Sequence, residues 1–142
     1  MSFIVMTDTS ANLPTALTAQ RDIKVIAFPY YIKGISYQCQ NTDAFDGEAF
    51  YRAIREHGVE VKTSQITPVQ YIDFYEPLLR EGKDILFISM SSGISGSCNS
   101  SMIAASEVLQ RYPERKIEIV DTLGASLGEG LLALRAADLR DS

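Results

Sequence analysis

Short runs of strand-forming residues alternate with helical patterns along the whole chain, and that alternation leaves few architectures open. Parallel strands need a crossover, usually helical, between them, so the pattern reads as an α/β domain built on a mostly parallel sheet. Phe3-Ile4-Val5-Met6 opens the series and runs into Thr7-Asp8-Thr9-Ser10-Ala11-Asn12. A short helix with Pro14 in its first turn precedes a strand from Val25 to Lys33. Gly34 marks a turn, and Ile35 to Gln38 folds back as an antiparallel edge strand. Asp84 to Ser89 and Lys116 to Asp121 read as buried central strands. The expected fold is a three-layer α/β domain with about four main strands, an antiparallel edge hairpin and helices on both faces.

The helices carry clearer punctuation. Thr67-Pro68-Val69-Gln70 is a capping box with proline in the first helical position. Tyr71, Phe74, Tyr75, Leu78 and Leu79 follow at helical spacing, and Gly82 supplies a left-handed stop. Pro77 inside that pattern removes a helix hydrogen bond and predicts a kink or an early end. A second helix is expected from Asp46 to Gly58 with Phe50 and Ile54 inward, and a third from Ser97 to Arg111, stopped by Pro113. Gly130 to Leu139 is a strong helix pattern running almost to Ser142 without a glycine or proline stop, as if the chain were cut from something longer.

Charge and length then exclude whole classes of partner. Thirteen Lys and Arg against eighteen Asp and Glu give a net charge of −5, so no positive field recruits nucleic acid or an anionic membrane. Phe3 to Met6 is too short for a signal-peptide core or a membrane span, which makes the cytoplasm the expected compartment. Cys39 and Cys98 lie far apart, with no Cys/His cluster to hold zinc, so both are expected as free thiols.

Ser91-Ser92-Gly93-Ile94-Ser95-Gly96-Ser97 stands between a buried strand and a helix, where ligands of open parallel sheets bind. A glycine-rich loop there exposes backbone N–H groups at a positive helix terminus, which suits an anion. Helix capping alone accounts for part of the serine content. Thr63-Ser64-Gln65, in the loop ahead of the capped helix, points to the same edge, although such residues alone are ordinary turn formers. Asp8 and Asp121, each after a strand, allow a second reading in which they hold magnesium in a small phosphate-binding or phosphoryl-transfer enzyme. Capping is the simpler role for both, and no phosphate-binding G-x-x-x-x-G-K-[ST] loop supports the metal. Gly124-Ala125-Ser126-Leu127-Gly128 matches the G-x-S-x-G elbow of hydrolases, but the only histidine, His57, lies upstream of it, the reverse of the order such a triad uses.

Taken together, Thr7 to Pro14, Phe50-Tyr51, Thr63 to Gln65, Ser91 to Gly96 and Asp121 to Gly128 resemble the DegV family, in order and spacing over the whole chain. The resemblance implies a bacterial two-domain protein of which residues 1–142 form the N-terminal lipid-binding domain, cut before a C-terminal domain. It implies a carrier rather than a catalyst, one that binds a long-chain fatty acid such as palmitate and presents its carboxylate to a fatty acid kinase. No cofactor or metal is implied. By position, the carboxylate ligands are the hydroxyls of Thr63 and Ser95, with the N–H of Gly96 as a third donor. Ser97 stands where the family usually has Thr, and Cys98 where an aromatic is common. The family's C-terminal His and Arg have no counterpart in this chain.

Overall fold

The computed structural model describes residues 3–142. Two sheets organise it. Strands β1 (Phe3–Asp8), β2 (Ile23–Ile26), β6 (Asp84–Ser89) and β7 (Ile117–Asp121) form an all-parallel sheet in the order β2-β1-β6-β7. Strands β3 (Tyr30–Ile32), β4 (Ile35–Tyr37) and β5 (Val61–Thr63) form a small antiparallel sheet in the order β4-β3-β5.

Helices cover both faces of the parallel sheet, as the alternation of its residues requires. Met6 and Phe87 point toward α3 (Pro68–Arg80) and α4 (Ser97–Val108), where they meet Tyr71, Tyr75, Leu79, Ala104 and Val108. Val5 and Ile88, one residue along, point the other way and pack with Ala133, Ala136 and Ala137 of α5 (Leu127–Asp141) and Leu17 of α1 (Thr15–Gln20). The three-layer α/β architecture is therefore as expected, and Thr67 and Gln70 form the capping box reciprocally.

Several boundaries differ from the sequence reading. The run from Val25 to Lys33 is two strands in two sheets, because Pro29 offers no N–H to a ladder and the chain turns across Ala27-Phe28-Pro29. The hairpin β3–β4 is consequently not an edge of the main sheet; it joins β5, a three-residue strand ending in Thr63, which the sequence reading placed in a loop. Strand β7 lies at the edge, not the centre, of its sheet. Helix α3 runs past Pro77 to Arg80 and does not stop early. Helix α4 ends at Val108, three residues before Arg111, and α1 begins at Thr15, with Pro14 as its N-cap.

Helix α2 (Gly47–His57) has the expected limits, with Asp46 capping its start and Gly58 in the left-handed conformation at its end. It buries no residue, however, and Ile54 is 37% exposed instead of inward. Its packing is a small aromatic cluster in which the Tyr30 ring lies edge-on to Phe50 and Phe45 at centroid distances of 5.8 and 6.3 Å.

Candidate functional site

Strand β1 crosses over to β2 on one side of the sheet, while β6 crosses over to β7 on the other. The loops leaving β1 and β6 therefore part at the carboxyl ends of the two central strands, which is where an open α/β sheet offers a crevice. An open pocket of about 520 Å³ occupies this position. Thr9 and Ser10 line it from the loop after β1; Met90, Ile94, Ser95 and Gly96 line it from the loop after β6. Phe28, Thr63, Ser64 and Gln65 close the side nearest the small sheet.

Thr63, Ser95 and Gly96 thus line the same pocket despite coming from different sheets and loops. Thr63 is exposed at the end of β5, and Ser95 is half-buried. The loops are joined by Ser97, a fully buried serine whose Oγ accepts the Ile66 N–H at 2.9 Å and the Ser95 hydroxyl at 3.0 Å. The Ser95 Oγ in turn accepts the Ser97 N–H at 3.2 Å, which holds it at the first turn of α4. Gly96 is the N-cap of that helix. A Cβ at Gly96 would stand 2.0 Å from Oε1 of Gln65, so the glutamine amide lies directly over the glycine.

The serine run divides by role. Ser91 shapes the turn, its Oγ accepting the Gly93 N–H and its carbonyl accepting from Ile94 and Ser95. Ser92 donates its hydroxyl to Asp121. Turn and loop bonds, not helix capping, therefore explain Ser91 and Ser92, while Ser95, paired with Ser97, lines the pocket.

Asp8 and Asp121 are both engaged in fixing loops. The buried Asp8 accepts the N–H groups of Ser10 at 2.9 Å and Met90 at 3.1 Å, tying together the two loops that form the pocket. Asp121 accepts from the N–H groups of Ser92 and Leu123, and the Ser92 hydroxyl and these N–H groups hold its carboxyl below the usual carboxylate range. Among the described residues no group of three His, Cys, Asp or Glu is arranged to hold a metal ion. Ser126 has φ 56° and ψ −138°, a strained turn of the kind an elbow serine uses, but its Oγ accepts the Asn12 amide at 3.0 Å instead of facing a base.

Below the pocket lies a group the sequence reading missed. Glu129, in the first turn of α5, is fully buried. Its Oε2 lies 2.5 Å from the Ser10 hydroxyl, and its Oε1 lies 3.0 Å from the Thr7 hydroxyl, which also reaches the Ile88 carbonyl at 2.9 Å. Burial, then the neighbouring Asp8 charge, push the Glu129 carboxyl up to about 8 against the hydrogen bonds from Ser10 and Thr7. The pattern G-E-G in a helix start gives no warning of this, because an acidic residue there usually sits in solvent and complements the helix dipole.

A second, smaller pocket of about 210 Å³ shares Thr9 with the first and is walled in part by Leu13, Val25 and Phe45. Among the described residues no helix is long and apolar enough to cross a membrane.

Comparison with known proteins finds relatives over the whole length of the chain. A family model described as "Uncharacterised protein, DegV family" covers residues 2–142. A DegV domain-containing protein of Clostridium perfringens is 36% identical over 97% of this chain and 47% of its own length. One from Lactococcus lactis is 33% identical over 100% of this chain and 49% of its own. The chain thus spans about half the length of the curated relatives it matches. Among solved structures, a DegV family protein from Thermus thermophilus described by its fatty acid binding superposes with a TM-score of 0.83 at 29% identity, covering 99% of this chain and 48% of the other. DegV from Bacillus subtilis, described as a fatty acid binding protein, gives 0.83 at 28% identity, with 99% and 48% covered.

Proposed function

The chain belongs to the DegV family, and on that premise we propose that it binds a long-chain fatty acid, such as palmitate, by its carboxylate and presents that group to a fatty acid kinase. The hydroxyls of Thr63 and Ser95 and the N–H of Gly96 are the donors in this reading. The observation that carries it is the pocket at the sheet's switch point, where these three residues meet under neutral donors and the apolar Phe28, Met90 and Ile94. Hydroxyl and amide donors at a helix N-terminus hold a carboxylate without a full opposing charge, so the head group stays available to a second protein. The protein is then a carrier, not a catalyst, working in the cytoplasm.

Head and tail divide the work unequally. Fourteen methylenes at about 0.8 kcal/mol each represent roughly 11 kcal/mol of gross burial, against about 1.5 to 3 kcal/mol for each hydrogen bond to the charged head. The tail supplies affinity and the hydroxyls supply orientation. The smaller pocket that meets the first at Thr9 offers the tail an apolar path. In this reading residues 1–142 act as the N-terminal domain, and the half of the relatives' length that this chain does not span closes over the rest of the acyl chain.

The competing reading, a magnesium-dependent phosphoryl-transfer enzyme using Asp8 and Asp121, has less support, since both carboxylates already accept backbone N–H groups. Native mass spectrometry of the protein purified from a bacterial host separates the two. A copurified fatty acid is expected. A ligand-free protein that binds phosphate only with magnesium would overturn the carrier.

A further inference from the structure

We infer that Glu129 is a positioning residue for the pocket's anion, acting through Ser10: as a neutral acid it donates a hydrogen bond to Ser10 Oγ, which frees the Ser10 hydroxyl to donate to a bound fatty acid carboxylate. This rests on the pocket being the head-group site proposed above.

Hydrogen counting around the buried carboxyl points this way. The Thr7 hydroxyl has one proton but stands within hydrogen-bond distance of two acceptors, Ile88 O at 2.9 Å and Glu129 Oε1 at 3.0 Å. The Ser10 hydroxyl reaches Oε2 at 2.5 Å. A carbonyl cannot donate, so three close contacts share two hydroxyl protons, and a proton on Oε1 of Glu129, donated to Thr7 Oγ, completes the set before a ligand enters. The surroundings keep that proton in place. Arg21, just after α1, reaches α5 at its far end, at Asp138 and Asp141, while the elements packed most closely against α5 are β1, the turn after it and β6. Their titratable residues are Asp8, whose charge opposes ionisation of Glu129, and Asp84 at the far end of the sheet. From α3, the buried Tyr71 feels both carboxyls, and among the described residues no cation influences Glu129.

Ser10 also lines the pocket, so its hydroxyl can turn either way. With Glu129 ionised, the Ser10 proton is held on Oε2 and its lone pairs face the pocket, against an incoming carboxylate. With Glu129 neutral, the proton passes to lie between Oε2 and Ser10 Oγ, the Thr7 proton is shared between Ile88 O and Oε1, and the Ser10 O–H points at the ligand. Within the neutral acid the change only moves the acid proton from Oε1 to Oε2, whereas from ionised Glu129 it takes up one proton from solvent, so binding an anion raises the proton affinity of Glu129.

The test measures palmitate affinity from pH 6.5 to 9.5 for the wild type, Glu129→Gln and Ser10→Ala. Gln keeps the size of Glu and donates to Ser10 at every pH. Wild-type affinity is expected to fall about tenfold more over this range than that of either variant, whose shared slope removes the titration of palmitate itself. Equal slopes in all three overturn the inference while leaving the fatty-acid site intact. No palmitate binding by the wild type at any pH overturns the site itself, and the inference with it. Carbon-13 NMR of the Glu129 carboxyl gives an answer that does not depend on the variants folding. A midpoint well above that of ordinary glutamate, raised further by palmitate, is expected, and a midpoint unmoved by palmitate refutes the relay.

Discussion

Two glycines in the first turn of α5 are expected to respond in opposite directions to the same substitution. A Cβ at Gly130 would stand 2.8 Å from the carbonyl oxygen of Ala11 and 2.9 Å from Cδ2 of Leu13, whereas a Cβ at Gly128 would meet nothing within 4 Å. Alanine gains up to about 1 kcal/mol over glycine in a helix. At Gly128 that gain stands alone, and the melting temperature should rise by about 3 °C, taking roughly 0.3 kcal/mol per degree for a chain of this size. At Gly130 the obstacle is backbone, which cannot swing aside, and overpacking of this kind costs about 1 to 3 kcal/mol. Moving α5 away from Ala11 also stretches the bonds from Thr7 and Ser10 to the buried Glu129, where each loss costs about 1 kcal/mol or more. The net for Gly130→Ala is a loss of about 2 kcal/mol, or roughly 7 °C. Thermal unfolding followed by circular dichroism reads both. A Gly130→Ala protein as stable as the wild type would show that the close approach of α5 to the turn after β1 is not what fixes this end of the fold.

Gly96→Ala places a Cβ 2.0 Å from the end of a flexible side chain, Gln65, so the amide should move into the pocket; fatty acid affinity is expected to fall while the melting temperature shifts by less than about 3 °C, and calorimetry beside thermal unfolding checks both. Glu129 has its folded-state value raised above that of an unfolded chain, so its contribution to stability is complete below pH about 4.5 and is lost as pH rises through about 8, with a slope of up to about 1.4 kcal/mol per unit. Urea unfolding from pH 5 to 8 should show that decline in the wild type, and a Glu129→Gln protein that declines as steeply would assign it elsewhere. Cys39 is half-buried and Cys98 fully buried, where burial pushes its thiol up. Thiol titration should therefore find Cys39 reacting in the native protein and both after denaturation; rapid native reaction of Cys98 would contradict its burial.

What the sequence reveals, and what it conceals, follows from how local each signal is. Strands β1 and β6 and helix α3 announce themselves through an apolar run, a capping box and a stop glycine, all read within a dozen residues. The serine-rich loop is equally legible, because its place between a buried strand and a helix already implies a ligand edge. Strand β5 is hidden because Val61-Lys62-Thr63 is too short to show a period, and only pairing with Tyr30 to Ile32 makes it a strand. The break between β2 and β3 has one local sign, Pro29, inside a run that otherwise favours strand throughout. Ser10 and Glu129 meet across 119 positions of sequence, and neither residue type at its own position suggests a buried carboxyl beneath a pocket. Long-range polar pairs of this kind have no sequence period, so only the fold brings them into view.

In the proposed function Thr63 and Ser95 together hold a fatty acid's carboxylate. Calorimetric titration of palmitate into the wild type, Thr63→Ala and Ser95→Ala tests it most directly. At about 1.5 to 3 kcal/mol for each hydrogen bond to a charged group, each substitution should weaken binding by roughly tenfold or more, with the melting temperature of both variants close to that of the wild type. Palmitate affinity unchanged in both variants would contradict the assignment of the head group to this pocket.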